Sequence, residues 1–104
     1  MRITHPRVRC PDPAPARAGS DVAHLYVVTT PDRSGLAAHL QHAGIDSAVH
    51  YPVPDHRQPA LGNRFADAAL PGSERACAEV LTLPCFPEMT TAEVDAVVAA
   101  VNCW

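Results

Sequence analysis

The sequence predicts a small α/β fold of the α+β sandwich kind: a three-stranded sheet with helices packed on one face. Three observations predict it. Short runs rich in Val, Leu, Ile and Thr at 22–29, 45–51 and 81–83 read as strands. Helical stretches with start and stop signals fall between and after them. A chain of 104 residues holds one domain at most.

Residues 1–21 read as a flexible, Pro-rich lead-in, and 22–104 as the folded unit. Pro11, Pro13 and Pro15 alternate before Gly19-Ser20, which gives extended chain with little to bury. His5 is expected in solvent, and residues 3–9 carry only a weak edge-strand signal.

The stretch 22–29 is apolar on both faces, as in a central strand. His24 and Tyr26 share one of those faces, and the expectation for His24 is a hydrogen-bonded core position. Thr30 then reads as a helix N-cap, Pro31 as the first helical residue and Gly44 as the stop. Leu36, Leu40 and Ala43 form the apolar stripe of that helix. His39 and His42 are spaced for a metal clip, but no Cys, Asp or Glu joins them at a matching spacing, so a solvated pair is expected.

Residues 45–51 alternate as a second strand. After an irregular stretch anchored by Phe65 and Leu70, Ser73 is expected to cap a short helix over 74–80, with Cys77 and Val80 toward the core. Leu81-Thr82-Leu83 gives the third strand, closed by Pro84. Thr90 and Glu93 form a capping box ahead of a last helix whose stripe is Val94, Val97, Val98 and Val101.

Composition narrows the function. A net charge of −3 and a pI near 6.0 leave no footprint for nucleic acid or an anionic membrane. No apolar run approaches the roughly 18 residues of a spanning helix, and the first residues lack a signal-peptide core. A soluble, cytoplasmic chain is expected, with Cys10, Cys77, Cys85 and Cys103 as free thiols. All eight basic residues are Arg. Without a Lys, this chain alone cannot perform chemistry that needs a lysine Schiff base.

The segment 49–60 concentrates the polar groups suited to a site: His50, Tyr51, His56 and Gln58. Pro52, Pro54 and Pro59 fix φ and hold the preceding residues extended. On these residues alone, two readings stand. One is a connector whose prolines stop the strand; the other is a stiff loop that presents side chains to a ligand.

Taken in order, His24-Leu25-Tyr26-Val27-Val28, Ala43-Gly44-Ile45, His50-Tyr51-Pro52-Val53-Pro54 with His56 and Gln58-Pro59-Ala60, Glu74-Arg75-Ala76, Leu81-Thr82-Leu83-Pro84, and Phe86-Pro87-Glu88-Met89-Thr90 with Glu93-Val94-Asp95 form a recognisable series. It resembles the C-terminal small domain of the DegT/DnrJ/StrS sugar aminotransferases, pyridoxal-phosphate-dependent enzymes of fold type I, over residues 22–101. The resemblance implies a minor-domain fold that closes over the cleft of a large domain, which carries the cofactor and its Lys. It implies an oligomer and a keto nucleotide-sugar or cyclitol substrate aminated from Glu or Gln. It places His50 and Tyr51 near the substrate, with His56 and Gln58 in the same substrate-binding segment, and carries over no catalytic or cofactor-binding residue. The expected partner is a Lys-bearing large domain or an intact homologue, and the chain is expected to be inactive alone. The alternative is a non-catalytic interaction module or a decayed remnant. Leu61-Gly62-Asn63 stands where the family often has Leu-Gly-Tyr.

Overall fold

A computed structural model describes residues 2–11 and 24–104. Strand β1 (Tyr26–Thr29) is followed by helix α1 (Arg33–His42), two single 3₁₀ turns at Asp55–Arg57 and Pro59–Leu61, helix α2 (Pro71–Glu79), strand β2 (Val80–Leu83) and helix α3 (Thr91–Asn102). The architecture is mixed α/β, and among the described residues the sheet has two strands rather than the expected three. β1 and β2 pair antiparallel, with Val28 opposite Leu81 and Val27 opposite Thr82.

The stretch 45–51 contributes only one bridge, Ala48 to Thr82. Its start is held near α1 by the Ile45 N–H, which donates to the Leu40 carbonyl at 2.9 Å. Gly44 makes this possible by taking φ +73°, where a side chain would be strained. Pro52 has no N–H with which to extend the pairing. A second bridge, Arg9 to Thr29, lies on the other side of β1. β1 is therefore flanked on both sides, as its apolar faces suggested, although Val22 and Ala23 lie outside the described residues.

The core sits between the sheet and α1 with α3. Leu36 and Leu40 of α1, Val97 and Val101 of α3, and Val28, Leu81 and Leu83 of the strands form one cluster. Val8 belongs to it too, so residues 2–11 join the fold and are not a detached lead-in; residues 12–21 lie outside the described part. Asn102 holds this segment against α3. Its Oδ1 accepts from the Thr4 and His5 N–H groups at 2.7 and 3.2 Å, and its Nδ2 donates to the Arg2 carbonyl at 3.0 Å. His5 packs on the Trp104 ring at 5.1 Å, and the Arg7 guanidinium lies 4.0 Å from the same ring. The expected solvated His5 is therefore half-buried.

Several local expectations shift. Asp32, not Thr30, caps α1: its Oδ1 accepts from the Gly35 N–H at 2.9 Å, while Thr30 is buried at the end of β1. Helix α2 begins at Pro71 with no side-chain cap, ahead of the expected Ser73, because proline at the first position is already set for the helix. It has no fully buried residue, Cys77 is half-buried, and Val80 belongs to β2. His24 precedes β1 and is exposed, contrary to its expected core place. His39 is half-buried rather than solvated, and its Nε2 donates to the Ala100 carbonyl of α3 at 2.9 Å.

The capping box of α3 forms as expected. The Glu93 N–H donates to Thr90 Oγ1 at 3.3 Å, and the Thr90 N–H donates to Glu93 Oε2 at 2.7 Å. That backbone bond first, then the Thr90 hydroxyl, holds the Glu93 carboxyl below its usual value of 4.5. Its folded value being the lower one, the carboxylate contributes above the unfolded value and is lost as pH falls through the folded value. Thr90→Ala is expected to destabilise the chain by about 1 kcal/mol at neutral pH. The gap to wild type should narrow as thermal melts are taken below pH 4.5. A gap unchanged by acid would mean that the box contributes no ionic component. Val94 stands 40 % exposed at the start of α3, so the buried stripe is Val97, Val98 and Val101.

Candidate functional site

After Ala48, Val49 still packs against the core cluster, and His50 turns to the other face of the sheet. Antiparallel partners share a face, so Val27 and Thr82 point away from Val28 and Leu81. On that side the His50 ring reaches Thr82, with Nδ1 2.9 Å from Oγ1. Thr82 is 6 % exposed, which makes the bond a firm attachment to the sheet. The His50–Tyr51 peptide is cis. The two rings meet edge to face, with centroids 5.4 Å apart at 83°. Tyr51 is 69 % exposed, the most open of the large apolar or aromatic side chains among the described residues.

His56 and Gln58 stand differently. His56 is buried, and its Nε2 lies 3.2 Å from Glu74 Oε1 on α2. Its Nδ1 is buried with no partner. The same Glu74 oxygen is reached by Arg57 Nη2 at 3.4 Å, while the Arg57 guanidinium also donates to the Ala66 and Ala68 carbonyls at 2.9 and 3.1 Å. The His56 bond first, and then Arg57, holds the Glu74 carboxyl below its ordinary range. Gln58 Nε2 donates to the Val53 carbonyl at 3.0 Å, closing the segment on itself. Of the four residues expected to bind substrate, His50 and Tyr51 are therefore together, and His56 and Gln58 use polar atoms on internal partners.

Sequence reasoning missed Thr82, Glu74 and Arg57. A signal existed for Thr82, a polar residue between two buried leucines whose side chain must point to the other face by the period of two. Glu74 gave none, because nothing local links it to a segment eighteen residues earlier.

Apart from this segment, an open groove of about 850 Å³ lies between the N-terminal segment, the turn after β2 and α3. Ile3, Tyr26, Leu83, Phe86, Met89 and Val94 give it an apolar lining, and neither His50 nor Tyr51 reaches it. There burial, with the neighbouring Cys10 thiol, pushes the Tyr26 phenol above its usual value. Among the described residues no group of three or more His, Cys, Asp or Glu is placed to hold a metal ion. No helix of the described residues is long and apolar enough to cross a membrane.

Against known proteins, residues 5–102 match the model of the DegT/DnrJ/EryC1/StrS aminotransferase family. A dTDP-3-amino-3,6-dideoxy-alpha-D-galactopyranose transaminase of Aneurinibacillus thermoaerophilus is 38 % identical over 81 residues, which are 78 % of this chain and 22 % of that protein. Among solved structures, DesV of S. venezuelae superposes with a TM-score of 0.66 at 37 % identity, covering 78 % of this chain and 22 % of that one. NtdA of Bacillus subtilis, solved with bound cofactor PMP, gives 0.67 at 29 % identity over 75 % of this chain and 19 % of its own. The chain thus spans about a fifth of the length of the relatives it matches.

Proposed function

The chain belongs to the DegT/DnrJ/EryC1/StrS aminotransferase family, and from that premise we propose that it is a small-domain part of a sugar aminotransferase, active only beside a Lys-bearing large domain. One observation carries this reading: the family model matches residues 5–102, yet the alignment to the transaminase, over 78 % of this chain, spans only 22 % of that protein. The sequence has no Lys, so no residue here fits a covalent anchor for pyridoxal phosphate, and no step through the cofactor is assigned to this chain. Cofactor and proton transfer belong to a Lys-bearing large domain or an intact homologue.

The part assigned to this chain is to bind and orient. The Tyr51 hydroxyl both donates and accepts, as a sugar hydroxyl or a phosphate oxygen requires. The His50 Nδ1 is engaged with Thr82, which turns the ring and leaves Nε2 as its other polar atom. His56 and Gln58 act behind them by holding the segment in shape. The substrate class is a keto nucleotide-sugar or cyclitol, with Glu or Gln as amino donor. A second reading, a non-catalytic docking module, draws support from Leu25, Tyr26, Phe86 and Val94, which expose apolar surface that a partner would cover.

Turnover decides between them. A candidate large-domain chain, this chain, and their mixture are each supplied with pyridoxal phosphate, Glu and a keto sugar nucleotide. Amination is expected in the mixture alone. Turnover by this chain alone would contradict the assignment. Complex formation without amination in every mixture would favour the docking module.

A further inference from the structure

We infer that Glu74 is a positioning residue for Tyr51: with His56 and Arg57 it pins one end of a stiff strut whose other end is pinned at Thr82, and the two pins set where the tyrosine hydroxyl stands. The inference deepens the reading of Tyr51 as a substrate-facing group and rests on that reading for its functional value.

The strut runs from His50 to Arg57. Pro52 and Pro54 fix φ within it, and Pro54 is extended at φ −68° and ψ 152°. A chain so restricted transmits position from its ends, because it has few torsions left with which to absorb a displacement. Tyr51 is 69 % exposed, and its ring meets the edge of His50, which itself belongs to the strut. Its place is thus set by the attachments of the strut more than by a pocket of its own.

At the near end His50 bonds Thr82 at 2.9 Å. At the far end two consecutive side chains, His56 and Arg57, converge on one oxygen of Glu74 at 3.2 and 3.4 Å. The buried His56 has a partner at only one nitrogen, since Nδ1 is buried and unpaired. Glu74 therefore holds the single polar contact that justifies burying this ring. Arg57 extends the pin to the Ala66 and Ala68 carbonyls, so the long loop before α2 is gathered at the same point. Gln58 bonded to Val53 keeps the strut from folding between its pins. Glu74 itself lies on α2, which buries no residue fully and takes no large part in the core. Losing Glu74 leaves the buried His56 unpaired, a local cost, while the core cluster, to which no α2 residue belongs, stays in place.

The experiment labels the full chain with 3-fluorotyrosine. Tyr26 and Tyr51 are its two tyrosines, so two fluorine resonances are read and Tyr51→Phe assigns them. Glu74→Gln keeps the side-chain shape and removes the charge; Glu74→Ala removes the pin. Both are expected to shift or broaden the Tyr51 resonance while leaving that of Tyr26 in place. Amide exchange at Arg57 and Gln58, whose N–H groups bond the Pro54 and Asp55 carbonyls, should quicken roughly tenfold in Glu74→Ala. Exchange at Val98 and Val101 in α3 should stay at the wild-type rate. Thr82→Val, at the opposite pin, should also move the Tyr51 resonance.

A Tyr51 resonance and Arg57 exchange unchanged in both Glu74 variants would overturn the inference. So would equal shifts of both tyrosine resonances with lost protection in α3, since Glu74 would then support the fold at large. These readouts need no turnover. A failed reconstitution with a moved Tyr51 resonance would sink the proposed function and leave the strut standing; the reverse pair of results would sink the strut alone.

Discussion

Leu36→Ala is expected to remove a large part of the chain's thermal stability. Leu36 and Leu40 are both fully buried, and they are the two buried residues of α1. The helix has ten residues, shorter than the roughly 12–15 at which even a good isolated sequence becomes marginally helical. Its remaining surface is polar or small, with Arg33, Ser34, Gly35, Ala38 and Gln41 among its residues. Attachment therefore rests on two leucines seated in the cluster with Val28, Leu81 and Val101. Truncating one buried Leu to Ala typically destabilises a protein by about 2–5 kcal/mol, through lost transfer energy and the cavity left behind. Small domains fold with only about 5–15 kcal/mol in total, and a domain near this size sits at the lower end. At roughly 4–8 °C per kcal/mol, the midpoint should fall by about 10 °C or more. A circular-dichroism melt checks it. A fall of less than about 4 °C would mean that the site collapses around the smaller side chain, and that the cluster is not the main support of α1.

The same cluster explains which parts of the fold were legible in the sequence. Some signals that are complete within a few residues were read correctly, although the local caps expected at Thr30 and Ser73 do not form. The capping box needs only Thr90 and Glu93, and the stop at Gly44 needs only one residue free to take positive φ. Signals that depend on distant partners were not. Val8 sits in a segment that looks like a tail, yet it is core because Asn102, almost a hundred residues later, holds that segment to α3. The stretch 45–51 alternates like a strand, but a turn held to α1 on one side and Pro52 on the other leave it one paired residue. Alternation reports which faces a segment presents, not how many of its backbone groups find a ladder. His24 failed for a related reason: its apolar neighbours suggested burial, but the strand begins two residues after it.

The candidate site divides along the same line. His50 and Tyr51 were named from the Pro-rich segment, and the structure places them side by side at its start. Their supports come from α2 and β2 and could be found only once the chain was folded. Thr82 and Glu74 lie thirty-two residues beyond His50 and eighteen beyond His56.

That geometry changes what His50→Ala is expected to do. Read from the loop alone, the substitution should lower activity and leave the melt untouched. The bond to Thr82 adds a second effect, because Thr82 is 6 % exposed and its hydroxyl loses its side-chain partner. A buried polar group left unsatisfied costs about 1–3 kcal/mol, so the melt of His50→Ala should fall as well. Tyr51→Phe separates the two effects. It keeps the ring and its edge-to-face contact and removes only an exposed hydroxyl, so the melt should stay at the wild-type midpoint. In the reconstituted mixture Tyr51→Phe is expected to lose roughly tenfold in turnover if the hydroxyl holds a substrate oxygen. His50→Ala should lose at least as much, because it removes the ring against which Tyr51 rests. Pairing it with Thr82→Val tests the stability component, since the buried hydroxyl is then gone and the double variant should recover part of the lost melting temperature. If His50→Ala lowers the melt while both variants turn over at the wild-type rate, His50 is an attachment of the loop to the sheet, and the segment presents nothing to the substrate.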